Sequence, residues 1–292
     1  MGDFLGFGTW PLAGDNNGTV SYGRVDVLDS IEALEVAYSG GIKLYDTADF
    51  YGYGFVEELL GRVLGSVRNN IKIISKVGLL KDGTSNYSPE YIRRSLNGSL
   101  HRLQTTYLDY YMLHSPSIED VNEDTVGCLV SLVGSGVVHS WGISARTPAD
   151  ALIFVNRYRP HIIETNFNML DMRALNIGLL DKGITIVGRT PLAQGLLTNK
   201  FEFNNDSADS RNNWGKEETE KKKQIFNKML GVLDPIDTAL RFCISYEGIS
   251  HTIPGMKTKQ EVLQNINAVK NGPLSKNTLK HIENVYELSG WK

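Results

Sequence analysis

The sequence predicts an α/β fold of the (β/α)8 TIM-barrel type, laid out as a single domain over residues 1–292. Three observations carry that expectation. Short β-branched runs alternate with longer segments of helical period, eight strand candidates can be counted, and four runs in the first half each end on a polar residue. Those residues are Asp46 after "IKLY", Lys76 after "IKIIS", His114 after "YLDYYML" and Ser144 after "VVHSWGI". Parallel neighbours need a crossover of about a dozen residues or more, so this alternation implies a parallel sheet. Eight such units close into a barrel with its active site at the C-terminal ends of the strands.

Each element has its own local reason. "FLGFGT" is the first strand candidate, and the segment "DVLDSIEALEVAYSGG" reads as a helix with Val27, Leu28, Ile31, Leu34 and Ala37 at helical spacing, ending at Gly40 and Gly41. Strand "IKLYD", helix "VEELLGRVLGSV" and strand "IKIISK" follow. In "SPEYIRRSLNGSLHRL", Ser88 is the expected N-cap and Pro89 the first helical residue. Strand "YLDYYMLH", a helix from about Asn122 to Gly134, strand "VVHSWGIS", helix "PADALIFVNRY", strand "HIIETN", helix "MLDMRALNIGLLDKG" and strand "TIVGRT" continue the rhythm, and "HTIPG" supplies the last strand much later. An open doubly wound sheet is the competing architecture, but it needs a Gly-rich turn between first strand and first helix. "GFGTWP" lacks the third glycine and no helix follows it directly, while "GSGVVH" precedes a strand. The polar stretch 199–220, "NKFEFNNDSADSRNNWGKEETE", breaks the rhythm and reads as a long loop, either a lid on the active face or a disordered segment.

Composition narrows the function classes. With 30 Lys and Arg against 33 Asp and Glu the net charge is −3, so no global field recruits nucleic acid or an anionic membrane. The expected partner is a small molecule, and the expected assembly a monomer or weak oligomer. No charged leader and no apolar run near the roughly 20 residues of a membrane span is present, which together with Cys128 and Cys243 in apolar helical stretches places the protein in the cytoplasm. No metal site is expected, because His101, His139, His161, His251 and His281 lack ligand spacing.

The strand ends bring together a carboxylate, a phenol, an ammonium and an imidazole: Asp46, Tyr51, Lys76 and His114. A tyrosine hydroxyl with pKa near 10 is a feeble acid or base at neutral pH. A lysine charge at about 4 Å and an effective dielectric of about 20 is worth roughly three pKa units, which would bring Tyr51 near neutrality. Asp46 would keep Lys76 in place and protonated, and His114 would hydrogen-bond the reacting oxygen.

These residues and their surroundings resemble the aldo-keto reductases over essentially the whole chain. "LGFGTWPL", "LYDTADFYG", "VEELLGRVL", "ISK", "SLNGSLHRLQTTYLDYYMLH", "RTPLAQGLLTNKF" and "IPGMKTKQEVLQN" each resemble a family motif. The resemblance implies an NAD(P)H-dependent oxidoreductase that reduces an aldehyde or ketone to an alcohol, with Asp46, Tyr51, Lys76 and His114 as the catalytic tetrad and Tyr51 as general acid or base. It also explains the missing dinucleotide fingerprint, since the family binds its cofactor in extended form across the barrel rim.

The resemblance further implies cofactor contacts. Thr9, Trp10 and Asp46 match the nicotinamide end, and Ser144 and Glu164 match the carboxamide contacts. Arg189 matches the residue that covers the ring, while Leu192, Gln194 and Gly195 match the pyrophosphate loop. Gly255, Lys257, Thr258, Glu261, Gln264 and Asn265 match the adenosine end. Three departures stand out: Ala145 replaces Asn, Glu164 replaces Gln, and Glu261 replaces Arg or Gln. Lys257 favours NADP(H), whereas a Glu261 carboxylate would repel a 2′-phosphate, so NADP(H) is favoured with NAD(H) as the alternative.

Trp10, Tyr22, Phe55 and Trp214 are candidate pocket walls, and Lys200 and Arg211 candidate phosphate contacts. Little chain precedes the first strand or follows helix "SKNTLKHIENVYELSG", which implies a shallow, polar pocket suited to a sugar, a sugar conjugate or a small polar carbonyl. Two further readings differ in class. One is a cofactor-binding regulatory or interaction protein on the same fold; the other is a barrel enzyme using Lys76 as a Schiff-base amine, which the neighbouring Asp46 argues against.

Overall fold

A computed structural model describes residues 4–198 and 200–290. Eight parallel strands run in chain order: β1 Gly6–Gly8, β2 Leu44–Asp46, β3 Lys72–Val77, β4 Leu108–His114, β5 Val138–Ser144, β6 Ile162–Asn166, β7 Thr185–Arg189 and β8 His251–Ile253. Parallel bridges from Leu5 to Thr252 and from Gly8 to Gly255 bring the last strand back to the first, so the sheet closes into the expected (β/α)8 barrel. The helices are α1 Val27–Ser39, α2 Phe55–Leu64, α3 Pro89–Arg102, α4 Glu123–Gly134, α5 Pro148–Tyr158, α6 Arg173–Asn176, α7 Lys216–Leu230, α8 Pro235–Cys243, α9 Lys259–Lys270 and α10 Lys276–Leu288. Side-chain caps fix many of their starts, among them Ser88 on the Tyr91 N–H, Asn122 on Thr125 and Thr147 on Asp150.

Three expectations need correcting. In α1, Val27 and Leu28 are exposed and the inward face is Ser30, Ala33, Leu34 and Ala37. The helix expected over "MLDMRALNIGLLDKG" shrinks to the single turn of α6, because Gly178 and Gly183 adopt positive φ and turn the chain. The loop expected over 199–220 ends early, since the charged run from Lys216 opens α7, where Lys221–Glu217 and Lys222–Glu218 pair one turn apart. Asn199, the first residue of that loop, lies outside the described residues.

The barrel interior is built in two levels. Leu44, Ile74, Met112, Ile162, Val187 and Ile253 form an apolar plug. Side chains alternate along a strand, so residues two positions further on share the inward face. From five of the plug residues this leads to Asp46, Lys76, His114, Glu164 and Arg189, and Ser144 joins them on β5 as the register partner of His114. A polar level therefore rests directly on an apolar one. Cys128 and Cys243 are buried free thiols, and no helix among the described residues is long and apolar enough to cross a membrane.

Candidate active site

Lys76 is the centre of the polar level. Its side chain is fully buried, and its ammonium donates to the Asp46 carboxylate, to the Thr47 carbonyl at 3.1 Å and to the Tyr51 hydroxyl at 3.2 Å. Tyr51 comes from the loop after β2. That loop is stitched to β3 by Asp49 N–H on the Lys76 carbonyl, and it turns through Tyr51 N–H on the Ala48 carbonyl, so the phenol points back over the barrel. The Trp10 ring lies 5.0 Å from the Tyr51 ring, and His114 packs edge-on at 5.8 Å. Four residues from three strands and a loop thus meet as the sequence pattern suggested.

A fifth charge joins them. Ser144 and Glu164 are register partners across β5 and β6, and Ser144 Oγ donates to Glu164 Oε1 at 3.1 Å. Glu164 Oε2 stands 3.4 Å from Lys76 Nζ. One ammonium therefore serves two buried carboxylates.

That arrangement overturns the expected tuning of Tyr51. Burial raises the Tyr51 hydroxyl above its ordinary value, and although Lys76 pulls it down, Asp46 and Glu164 push it up again. Burial and the nearby Glu164 charge raise the Asp46 carboxyl, against the pull of Lys76. For Lys76, burial works against the charge, but the two carboxylates outweigh it and hold the amine protonated. Lys76 is no free amine, so Schiff-base chemistry has no nucleophile here. Burial holds His114 well below its usual range, with Lys76 and Arg189 adding to the effect, so its imidazole is neutral. A protonated phenol beside a neutral imidazole offers two hydrogen-bond donors that can serve one oxygen.

A cavity of about 400 Å³ opens above this level. Asp46, Tyr51, His114 and Glu164 line one part of it, and Lys257, Glu261, Gln264 and Asn265 line another. A model of the aldo/keto reductase family matches residues 4–287. The chain belongs to that family.

Its members are NAD(P)H-dependent oxidoreductases, and this reductase has relatives along nearly its full length. It is 28% identical to the uncharacterized oxidoreductase YqkF of Bacillus subtilis, over 96% of this chain and 91% of that one. It is 27% identical to L-galactose dehydrogenase of Arabidopsis thaliana, over 97% of this chain and 90% of that one. The holo form of aldo-keto reductase AKR11C1 from Bacillus halodurans superposes with a TM-score of 0.81 at 26% identity, covering 97% of this chain and 91% of that one.

Of the expected cofactor residues, Trp10, Asp46, Glu164, Arg189, Leu192, Gln194, Gly195, Gly255, Lys257, Glu261, Gln264 and Asn265 line the cavity. Thr9, Ser144 and Thr258 stand behind it. Thr9 donates to the Asp46 carbonyl, Ser144 holds Glu164, and Thr258 caps α9. Glu261 completes that cap, accepting from the N–H groups of Lys257 and Thr258, so its carboxylate is tied to the helix start. The Lys257 ammonium donates to the Tyr22 carbonyl.

The reductase departs from the expected pocket walls. Trp10 and Tyr22 line the cavity as expected, but Phe50 does so in place of Phe55, and Trp214 stacks on Phe201 outside it. Trp10, Phe50 and Leu79 line the cavity together with Tyr51, so apolar side chains stand where a polar surface was expected. Phe50 was legible in principle, because it directly precedes Tyr51 in the same turn.

The residues present fit a nicotinamide dinucleotide. Glu164 Oε2 and Arg189 Nε are buried without hydrogen-bond partners. Gly8 also lines the cavity, and a Cβ there would sit 2.9 Å from the Ile253 carbonyl oxygen, so β1 and β8 close together only around a glycine.

Proposed function

We propose that the protein interconverts a small, sugar-like aldehyde or ketone and its alcohol, with NADP(H) preferred over NAD(H). The observation that carries this reading is a single cavity with the Tyr51 hydroxyl, 3.2 Å from Lys76 Nζ, in one part and Lys200, Arg211 and Lys257 in another. The cations suit phosphates, and Lys257 lies beside the α9 start that the family's pattern assigns to the 2′-phosphate. The bound cofactor supplies or accepts the hydride.

The chain's own residues do the rest. Tyr51 donates its proton to the carbonyl oxygen as charge develops there, and Lys76 offsets the phenolate that remains. Asp46 keeps Lys76 in position. Neutral His114 donates a second hydrogen bond to the same oxygen and thereby orients the carbonyl. Trp10 and Phe50 offer flat faces to the C–H side of a sugar, and the likeness to L-galactose dehydrogenase supports that substrate class.

Residues 200–215 act as a strap over the cavity. Ser210 donates to the Ser21 carbonyl, Gly23 N–H to the Ala208 carbonyl, and Arg24 N–H to Asp206, joining the strap to the loop after β1. Arg211, paired with Asp209 and hydrogen-bonded to the Gln194 carbonyl, faces the phosphate part of the cavity.

A fluorescence titration with NADPH and NADH tests the reading. Micromolar or tighter binding with NADPH ahead is expected, and binding of neither would overturn it.

A further inference from the structure

Glu164 is the carboxylate of the polar level that the proton chemistry leaves unused. It is 2% exposed, yet it lines the cavity beside Asp46 and Tyr51. Its two oxygens differ in their surroundings. Oε1 accepts from Ser144 Oγ at 3.1 Å, whereas Oε2 has no hydrogen-bond partner and stands 3.4 Å from Lys76 Nζ. A buried carboxylate oxygen in that position costs free energy unless a ligand brings an N–H or a positive charge to it.

Among the neighbours, Lys76 brings a charge to 3.4 Å but no hydrogen bond. Lys76 donates its hydrogen bonds to Asp46, Thr47 and Tyr51. The Arg189 guanidinium hydrogen-bonds the Ala145 and Arg146 carbonyls. His114 is neutral, and Ala145, where the family carries Asn, offers no side-chain donor. The Asp46 and Glu164 carboxylates therefore share the Lys76 ammonium, while the Arg189 guanidinium is turned to backbone carbonyls.

We propose that Glu164 makes this reductase select the oxidised, cationic nicotinamide over the reduced, neutral one, by setting its unpartnered oxygen against the ring's charge and carboxamide N–H. The proposal rests on the cofactor reading above. Hydride and proton must reach adjacent atoms of one carbonyl group, so a ring that serves Tyr51 shares its neighbourhood with Glu164. The Gln usual in the family offers a neutral amide to both forms alike. A unit charge at about 6 Å and an effective dielectric of about 20 changes the affinity for a cation about a hundredfold. The Lys76 and Arg189 cations offset part of this, and about tenfold is expected to remain.

The test is calorimetric titration of the wild type, Glu164→Gln and Ser144→Ala with NADP+ and with NADPH. The wild type is expected to bind NADP+ more tightly than NADPH, and the reverse order overturns the proposal without any variant. Glu164→Gln is expected to raise Kd for NADP+ relative to NADPH about tenfold. Ser144→Ala keeps the charge and is expected to keep the wild-type ordering. Tight binding of both forms with an unchanged ratio in Glu164→Gln would overturn this proposal alone. Binding of neither form by the wild type would overturn it together with the cofactor reading.

Discussion

The Lys76 ammonium donates to Asp46 and at the same time stands 3.4 Å from Glu164 Oε2, so a single buried cation balances two carboxylates. Removing it would leave both acids without an opposite charge in a water-poor interior. Breaking a buried pair in this way costs about 3–5 kcal/mol. Lys76→Met is therefore expected to lose about that much stability in urea denaturation, in addition to its activity. A loss under about 1 kcal/mol would contradict the charge balance described here.

Asp49 offers a pH test outside the tetrad. Burial raises its carboxyl to about 7 from an ordinary 3.8, although the hydrogen bond from Ser95 Oγ pulls the other way. The folded chain thus holds this proton more tightly than the unfolded chain does. Stability from this group is complete at low pH, declines as pH rises from about 4 to about 7, and is level above that. Asp49→Asn keeps an acceptor for Ser95 and removes the decline. The variant is expected to melt above the wild type at pH 8 and alongside it near pH 4. Equal melting temperatures at pH 8 would contradict the assignment.

Glu261 caps α9 through the N–H groups of Lys257 and Thr258 and also lines the cavity. Glu261→Arg exchanges the capping carboxylate for a phosphate partner. It is expected to cost about 1 kcal/mol of stability and to shift the NADPH-to-NADH affinity ratio toward NADPH by tenfold or more. An unchanged ratio would mean that Glu261 does not face a phosphate.

Arg211 holds the strap through Asp209 and the Gln194 carbonyl. A charged hydrogen bond to a phosphate is worth about 1.5–3 kcal/mol, so Arg211→Ala is expected to weaken NADPH binding about tenfold to a hundredfold, chiefly by faster release. Stopped-flow displacement would show this, and an unaltered release rate would remove the strap from the account.

The barrel and the meeting of Asp46, Tyr51, Lys76 and His114 were legible because both follow local rules. Strand runs ending on Asp46, Lys76 and His114 obey the two-residue period, and the Ser88 and Asn122 caps obey helix-start chemistry. What was not legible depended on distance. Glu164 could be matched to a cofactor contact, but its approach to Lys76 required the register of β3 through β6. The lowering expected for Tyr51 is reversed chiefly by burial, which the single Lys76 charge does not offset, and further by the Asp46 and Glu164 carboxylates. Helix α7 was hidden by its charged first turns, where the ion pairs lie a turn apart and the buried apolar residues Phe226, Met229 and Leu230 come only near its end.

The central claim, that Tyr51 gives the proton while the rest of the site holds the cofactor, is tested most directly by a single-turnover experiment. Wild type and Tyr51→Phe, each loaded with NADPH, would be mixed with excess D-glyceraldehyde and NADPH fluorescence followed. Tyr51→Phe is expected to bind NADPH as the wild type does and to lose its fluorescence about 10²–10⁴-fold more slowly. Comparable rates for the two proteins would contradict the assignment of Tyr51.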